Sequence, residues 1–322
     1  MSRIYEALQK AESERKLERR EPEPQGPEQT SSAGISVAAA VAEPHEPIYA
    51  TRPFTEAPSH TEPYAEPSTH RAGGESLDLS KIPTRPWMPS LEQLPSLLER
   101  GPAVEQFRSL RSRIFELRDI SPLKTILISS GLPQEGKSFV STNLALSLAR
   151  HKNSKVLLID GDMRRYTLHQ ILGCEAHPGL ADYLAGKATL LEVMQRPEPQ
   201  TAVKGVAQVL PNLTFIAGGN GGDKAADLSG SPRFAELIRQ AVPYFDWIVV
   251  DSSPVLPVSD AVNLARSCDG VLLVARGGVT KFPVAQRAQS ELKASNILGF
   301  VLNAVQDTPE VGSYYGYDAN KL

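Results

Sequence analysis

Residues Gly131 to Ser138 read GLPQEGKS and fit the spacing G-x-x-x-x-G-K-[ST]. Gly131 and Gly136 let the backbone curl closely around an anion. Lys137 reaches the β- and γ-phosphates of a nucleotide, and the Ser138 hydroxyl is suited to Mg2+. Two apolar runs elsewhere end in acid: VLLID at 156–160 continues as GDMRR, giving Asp160 and Asp162, and WIVVD at 247–251 ends at Asp251 before SSP. A carboxylate at such a strand end is placed to hold Mg2+ or its water shell, and a second is placed to take the proton of an attacking hydroxyl. Aspartate also favours helix caps and turns, so these three residues gain their meaning from the loop. Arg164 and Arg165 suit phosphate oxygens, a neighbouring subunit, or plain solvation at a helix start.

Chemistry at these positions requires elements that bring them together. TILISS at 125–130 reads as a buried strand before the loop, and 138–150 places Leu144, Leu148 and alanines at helical spacing after it. A strand, a loop and a helix N-terminus in that order aim backbone N–H groups at one point. Further strands are expected at 155–160, 213–219, 247–251, 270–276 and 297–304. Helices are expected at 103–118, 165–172, 179–185, 232–242, 259–267 and 283–294. The alternation implies βαβ crossovers and an α/β fold with a mostly parallel sheet covered by helices on both faces. In such a sheet the ligand lies beyond the C-terminal strand ends, where the aspartates stand.

The first third of the chain is different. Of 26 prolines in 322 residues, 13 fall between Pro22 and Pro95, where apolar periodicity is absent. Residues 21–100 therefore read as a disordered Pro-rich linker, and the folded unit is expected over 101–322. Residues 1–20 form an expected amphipathic helix with Ile4, Leu8 and Ala11 on one face, either solvated or docking on a partner. A net charge of −3 gives no case for nucleic acid as a partner. Cys174 and Cys268 have no ligand-like spacing and read as reduced structural thiols. No apolar run approaches the roughly 18 residues of a membrane span, and the charged N-terminus does not resemble a signal peptide, so a cytoplasmic chain is expected.

Together, SSGLPQEGKS, VLLIDGDMRR and IVVDSSP resemble the Walker A, A′ and B motifs of the bacterial tyrosine kinases of exopolysaccharide synthesis and export. The resemblance covers roughly residues 100–322 and implies a P-loop NTPase fold using ATP and Mg2+. It implies nucleotide contacts from Gly131, Glu135, Gly136, Lys137, Ser138, Phe139 and Asn303, with Ser138, Asp162 and Asp251 serving the metal and Asp160 as the base. Upstream, Glu105, Arg108 and Arg111 resemble the family's E-x-x-R-x-x-R helix, which builds the subunit interface of a ring. At helical spacing the three share one face. Downstream, VGSYYGYDANKL at 311–322 resembles the family's tyrosine-rich tail, with Tyr314, Tyr315 and Tyr317 as phosphoacceptors on neighbouring subunits. A separate membrane-spanning co-polymerase is the implied activator, recruiting the chain to the inner face of the plasma membrane.

The chain departs from the family at Tyr166, where proline is usual, and at DKAADLSGSPRF, which only loosely matches the usual Asn-Pro-x-Glu-Leu-Leu segment. Its tyrosine cluster is also short. Two other functions share these motifs: a partitioning or septum-type ATPase switch, and a nucleotide-stabilised scaffold of a polysaccharide assembly. The switch class carries an extra lysine early in the loop, where this chain has LPQE.

Overall fold

A computed structural model describes residues 77–151, 154–199 and 210–305. The helix expected at 1–20, most of the linker and the tyrosine tail lie outside the described residues.

Eight strands form one sheet in the order β1-β4-β5-β3-β6-β2-β7-β8. They are β1 (Thr84–Arg85), β2 (Thr125–Ser130), β3 (Val156–Asp160), β4 (Met194–Pro197), β5 (Leu213–Ile216), β6 (Trp247–Asp251), β7 (Gly270–Arg276) and β8 (Ile297–Asn303). All pairings are parallel except β4 with β5. Every residue of β2, β3, β5 and β6 is buried, which explains why they read as unbroken apolar runs rather than alternating ones.

Successive residues of these strands feed two cores. Ile126, Ile128, Leu158 and Val249 pack beneath α1 (Pro102–Ile120) and α2 (Lys137–Ala149). Leu127, Leu157, Ile159, Ile248 and Val250 face the other side. That side carries α4 (Leu180–Leu184), α6 (Ala225–Ser229), α7 (Pro232–Ala241), α8 (Asp260–Ala265) and α9 (Phe282–Glu291). Two short helices complete the set, α3 (Leu168–Leu172) and α5 (Leu190–Val193). The alternation of strand side chains between faces makes each strand contribute to both layers. Among the described residues no helix is long and apolar enough to cross a membrane.

The expected elements recur within a few residues of their bounds, but the N-terminal boundary does not. Residues 77–100, assigned by composition to the linker, form a strap of two single-turn 3-10 helices, Leu79–Lys81 and Pro95–Leu97, joined by mostly irregular chain, whose apolar side chains enter the core. Trp87 sets its ring edge-on to Phe215 with centroids 6.1 Å apart, and Leu94 and Leu97 are fully buried. The strap is also bonded along its length. The Met88 and Ser90 N–H groups donate to Gly173 and Ile171, Arg196 N–H donates to Pro83, and the Arg150 guanidinium donates to the carbonyls of Ser96 and Leu98. Prolines do not prevent this, because such a strap needs few intrachain donors and no helical or strand period. The absence of period is what hid it.

Candidate active site

The site lies at the C-terminal ends of three neighbouring strands. β6 sits between β3 and β2, so Asp251 is flanked by Asp160 on one side and Ile128 on the other, just before the phosphate-binding loop. The loop ends at Gly136 in the left-handed region with φ 94°, and no side chain caps the first turn of α2. Its first N–H groups thus remain for an anion. The left-handed φ demands glycine at 136, and a methyl there would sit 1.9 Å from Asn303 Nδ2 and displace that side chain. Gly161 is similarly required: its N–H donates to the Asp251 carbonyl at 2.8 Å, and a Cβ there would lie 2.5 Å from that oxygen.

Within this frame the predicted residues converge. Lys137 Nζ pairs with Asp162 Oδ2 at 3.0 Å, and the Ser138 hydroxyl donates to Asp251 Oδ2 at 2.7 Å. Asp160 is fully buried, with Oδ1 accepting the Asp162 N–H at 3.2 Å and Oδ2 the Leu168 N–H at 3.1 Å. Burial by itself would pull the Lys137 ammonium down, but the carboxylates of Asp251, Asp162 and Asp160 outweigh it and hold the pKa above the usual lysine value. Burial pushes Asp160 well above the usual carboxylate range, and the neighbouring Asp251 and Asp162 charges add to it against the Leu168 N–H and Lys137. Burial also raises Asp251, opposed by Lys137 and the Ser138 hydroxyl.

The donor set fits Mg2+. Asp251 Oδ1 is buried and has no hydrogen-bond partner, beside a serine hydroxyl and within a cluster of three carboxylates countered by one lysine. An orphaned carboxylate oxygen of this kind is costly unless a ligand completes it. Few protein oxygens with water and phosphates supplying the rest is the usual Mg2+ arrangement.

Other predicted residues are placed differently. The Glu135 carboxylate is 4% exposed and turned inward, accepting the Leu132 N–H at 2.8 Å and the Thr280 hydroxyl. Asn303 Nδ2 donates to the Glu135 carbonyl at 3.0 Å, so this side chain braces the loop. The Phe139 ring packs on Phe107 of α1, centroids 5.7 Å apart, leaving its backbone N–H to the cradle. Arg164 is committed to the buried Asp260, Nε to Oδ2 at 2.7 Å and Nη2 to Oδ1 at 3.3 Å. Arg165 is exposed, and its backbone N–H donates to Asp162 Oδ1 at 3.0 Å. On α1, Arg108 pairs with Glu105 at 2.5 Å, whereas Arg111 turns inward and donates to the Ser147 carbonyl of α2 at 2.8 Å. Tyr314, Tyr315 and Tyr317 fall outside the described residues. Cys174 and Cys268 are free thiols; burial pushes Cys174 up to about 12 and Cys268 up as well, in keeping with structural roles.

Sequence reading missed Thr280, Asp260 and Gly218. A side chain at Gly218 would meet the Tyr166 Cβ at 2.6 Å and the Asp160 Cγ at 3.3 Å, so the chain leaving β5 closes over the aspartate. None of the three lies in a motif, and only the fold brings Thr280 to the loop, Asp260 to Arg164 and Gly218 to Asp160.

No protein-family model matches the chain. Among curated proteins, tyrosine-protein kinase YwqD of Bacillus subtilis (strain 168) is 31% identical over 219 residues, 67% of this chain and 86% of that protein. The putative tyrosine-protein kinase EpsB of Ralstonia solanacearum is 35% identical over 221 residues, 67% of this chain and 28% of that protein. The match spans only 26–28% of the length of EpsB and of the tyrosine-protein kinase ptk of Acinetobacter johnsonii. Among solved structures, the kinase domain of Escherichia coli tyrosine kinase ETK superposes with a TM-score of 0.56 at 31% identity, covering 64% of this chain and 78% of that one. The BceF tyrosine kinase domain gives 0.52 at 30% identity, covering 62% and 76%. With a phosphate-binding loop, two aspartate-tipped strands and a relative matched over most of its length, the chain belongs to the family of bacterial tyrosine-protein kinases.

Proposed function

We propose that the chain is an ATP-dependent protein tyrosine autokinase that regulates exopolysaccharide synthesis or export. The observation that carries this reading is the convergence of Lys137, Ser138, Asp162 and Asp251 on one buried point, with an unpartnered Asp251 oxygen in it. Lys137 and the N–H groups of 136–139 would hold the phosphates, and Ser138, Asp251 and Asp162 would hold Mg2+ or its water shell. The metal, when bound, neutralises charge building on the β- and γ-oxygens. A tyrosine oxygen bonds to the γ-phosphorus as the bridge to ADP breaks, and the phenolic proton passes to Asp160. A carboxylate whose pKa is raised toward that of the phenol is the better acceptor.

The acceptors are Tyr314, Tyr315 and Tyr317, presented to a neighbouring subunit of a homo-oligomeric ring built on Glu105 and Arg108. A membrane-spanning co-polymerase activates the ring and recruits it to the inner face of the plasma membrane. Each phosphate adds about −1.5 to −2 charge, so phosphorylated tails repel and loosen the ring.

Phosphopeptide mapping of the chain co-produced with its activator, beside Lys137→Met, tests the reading. Phosphate on the three tyrosines that vanishes in Lys137→Met, together with ATP binding, is the expected result. ATP hydrolysis without phosphotyrosine would point instead to an assembly switch.

A further inference from the structure

A carboxylate buried inside a loop that must hold a polyphosphate is an electrostatic liability, and Glu135 is such a group, two residues before Lys137. Three segments fix where its charge goes. Its Oε2 accepts the Leu132 N–H at 2.8 Å, closing a turn within the loop. Its Oε1 accepts the hydroxyl of Thr280, which lies in the turn between β7 and α9. The Thr280 oxygen is itself held by the Arg276 N–H at 2.8 Å, at the last residue of β7. On the main-chain side, the Glu135 carbonyl accepts Asn303 Nδ2, and the Asn303 carbonyl accepts the Gly277 N–H at 2.7 Å. The ends of β7 and β8 thus grip the phosphate loop at one residue, through its side chain and its backbone together.

We infer that Thr280 is a positioning residue of the nucleotide site: its hydroxyl holds the Glu135 carboxylate on the β7–α9 side, away from the phosphates, and sets the loop before nucleotide arrives. The inference rests on reading 131–138 as a nucleotide site and is independent of which tyrosine accepts phosphate. Without the hydroxyl, the carboxylate keeps one donor, is free to swing, and opposes the incoming anion. A hydrogen bond to a charged group is worth enough that its loss reads as about tenfold in affinity. Part of that loss is charge repulsion, which salt screens and which removing the charge relieves.

The test is calorimetric titration of ADP with Mg2+ into the full chain and into Thr280→Val, Thr280→Ser, Glu135→Gln and the Glu135→Gln/Thr280→Val double variant. Thr280→Val is expected to weaken ADP about tenfold, less so in high salt, and Thr280→Ser to restore it. Glu135→Gln is expected to recover affinity in the Thr280→Val background only. A residue with a merely structural role would make the double variant weaker than either single one. In the nucleotide-free chain, the Leu132 amide should exchange faster in Thr280→Val than in wild type. Wild-type affinity in Thr280→Val, a double variant weaker than Thr280→Val, or unchanged exchange at Leu132 would overturn the inference. Loss of ADP binding in Lys137→Met alone speaks to the site itself, so the two readings fail separately.

Discussion

At the residue scale, the centre of the site is a charge problem: three buried or nearly buried carboxylates face one ammonium. Asp251 is the informative member, since one oxygen takes the Ser138 hydroxyl and the other makes no hydrogen bond of normal geometry, the nearby Ser141 hydroxyl donating to the Ser138 carbonyl instead. Its folded pKa is raised, so its burial cost is fully present above the folded value and disappears as pH falls toward 3.8, the value in the unfolded chain. Asp251→Asn removes that cost without removing the acceptor for Ser138. The metal-free variant should therefore melt at a higher temperature than wild type near pH 7.5, with an advantage that shrinks on acidification through the folded pKa. The same change should abolish Mg2+-dependent tightening of nucleotide. A melting point unchanged or lowered at pH 7.5 would show that Asp251 is already neutral or paired in the resting site. Gly136 gives a second case, in which backbone conformation dominates. Gly136→Ala forces a left-handed φ on alanine and drives its Cβ into Asn303, so nucleotide binding measured by titration should be lost while the sheet remains folded.

At the scale of elements, α1 separates two roles that its sequence spacing presents as one. Glu105, Arg108 and Arg111 share a helical face, but the inner part of that face is occupied by α2. Arg111 spends a donor on the Ser147 carbonyl, and its pKa is lowered first by burial and then by Arg108. Arg111→Ala should therefore lower the melting point of the chain by roughly 2–4 °C, the shift that about 1 kcal/mol produces in a domain of this size. Arg108 also donates to the Glu99 carbonyl at 3.2 Å, but at an exposed position, so Arg108→Ala should lower melting less than Arg111→Ala and reduce oligomer size in sedimentation. Equal effects of both changes on melting would contradict the division. Such distinctions were not legible in the sequence, because periodicity tells which residues share a face and not which neighbour covers each part of it. Strands β2, β3, β6 and β7 were legible because burial on both faces forces continuous apolar runs bounded by acid or glycine. β4 was not: MQRP pairs antiparallel through its backbone and carries no pattern of its own.

At the scale of the whole molecule, the same contrast shows in residues 77–100. Loop, aspartates and core strands announced themselves through motif and hydropathy, whereas the strap of 77–100 is a series of single anchors, Ile82, Trp87, Leu94 and Leu97, separated by prolines. A chain starting at residue 77 should fold and bind nucleotide as the full chain does. One starting at residue 101 exposes the strap's seat on α2 and Phe215, and should aggregate or melt far below it in a thermal scan. Equal melting of the two would make the strap dispensable.

One of the strap's anchors lies on the nucleotide helix itself. The Asn143 side chain, within α2, accepts the Ser96 N–H at 3.0 Å and donates to the Gln93 carbonyl at 3.0 Å and to the Phe139 carbonyl at 2.9 Å. Upstream, the strap is tied by the Leu77 N–H to the Tyr244 hydroxyl at 2.7 Å, by the Arg196 guanidinium to the Leu79 carbonyl at 3.3 Å, by the buried Ile82 and by a two-residue pairing with β4. In mechanical terms the load path runs from the ties at residues 77–85, through Trp87 and the Met88 and Ser90 N–H groups, to a side-chain grip on α2, two turns beyond the phosphate loop. A pull delivered through the N-terminal segment would have to break the ties at 77–90 before bearing on the helix that holds the phosphates, so only force sufficient to peel the strap would register as a change in nucleotide residence time.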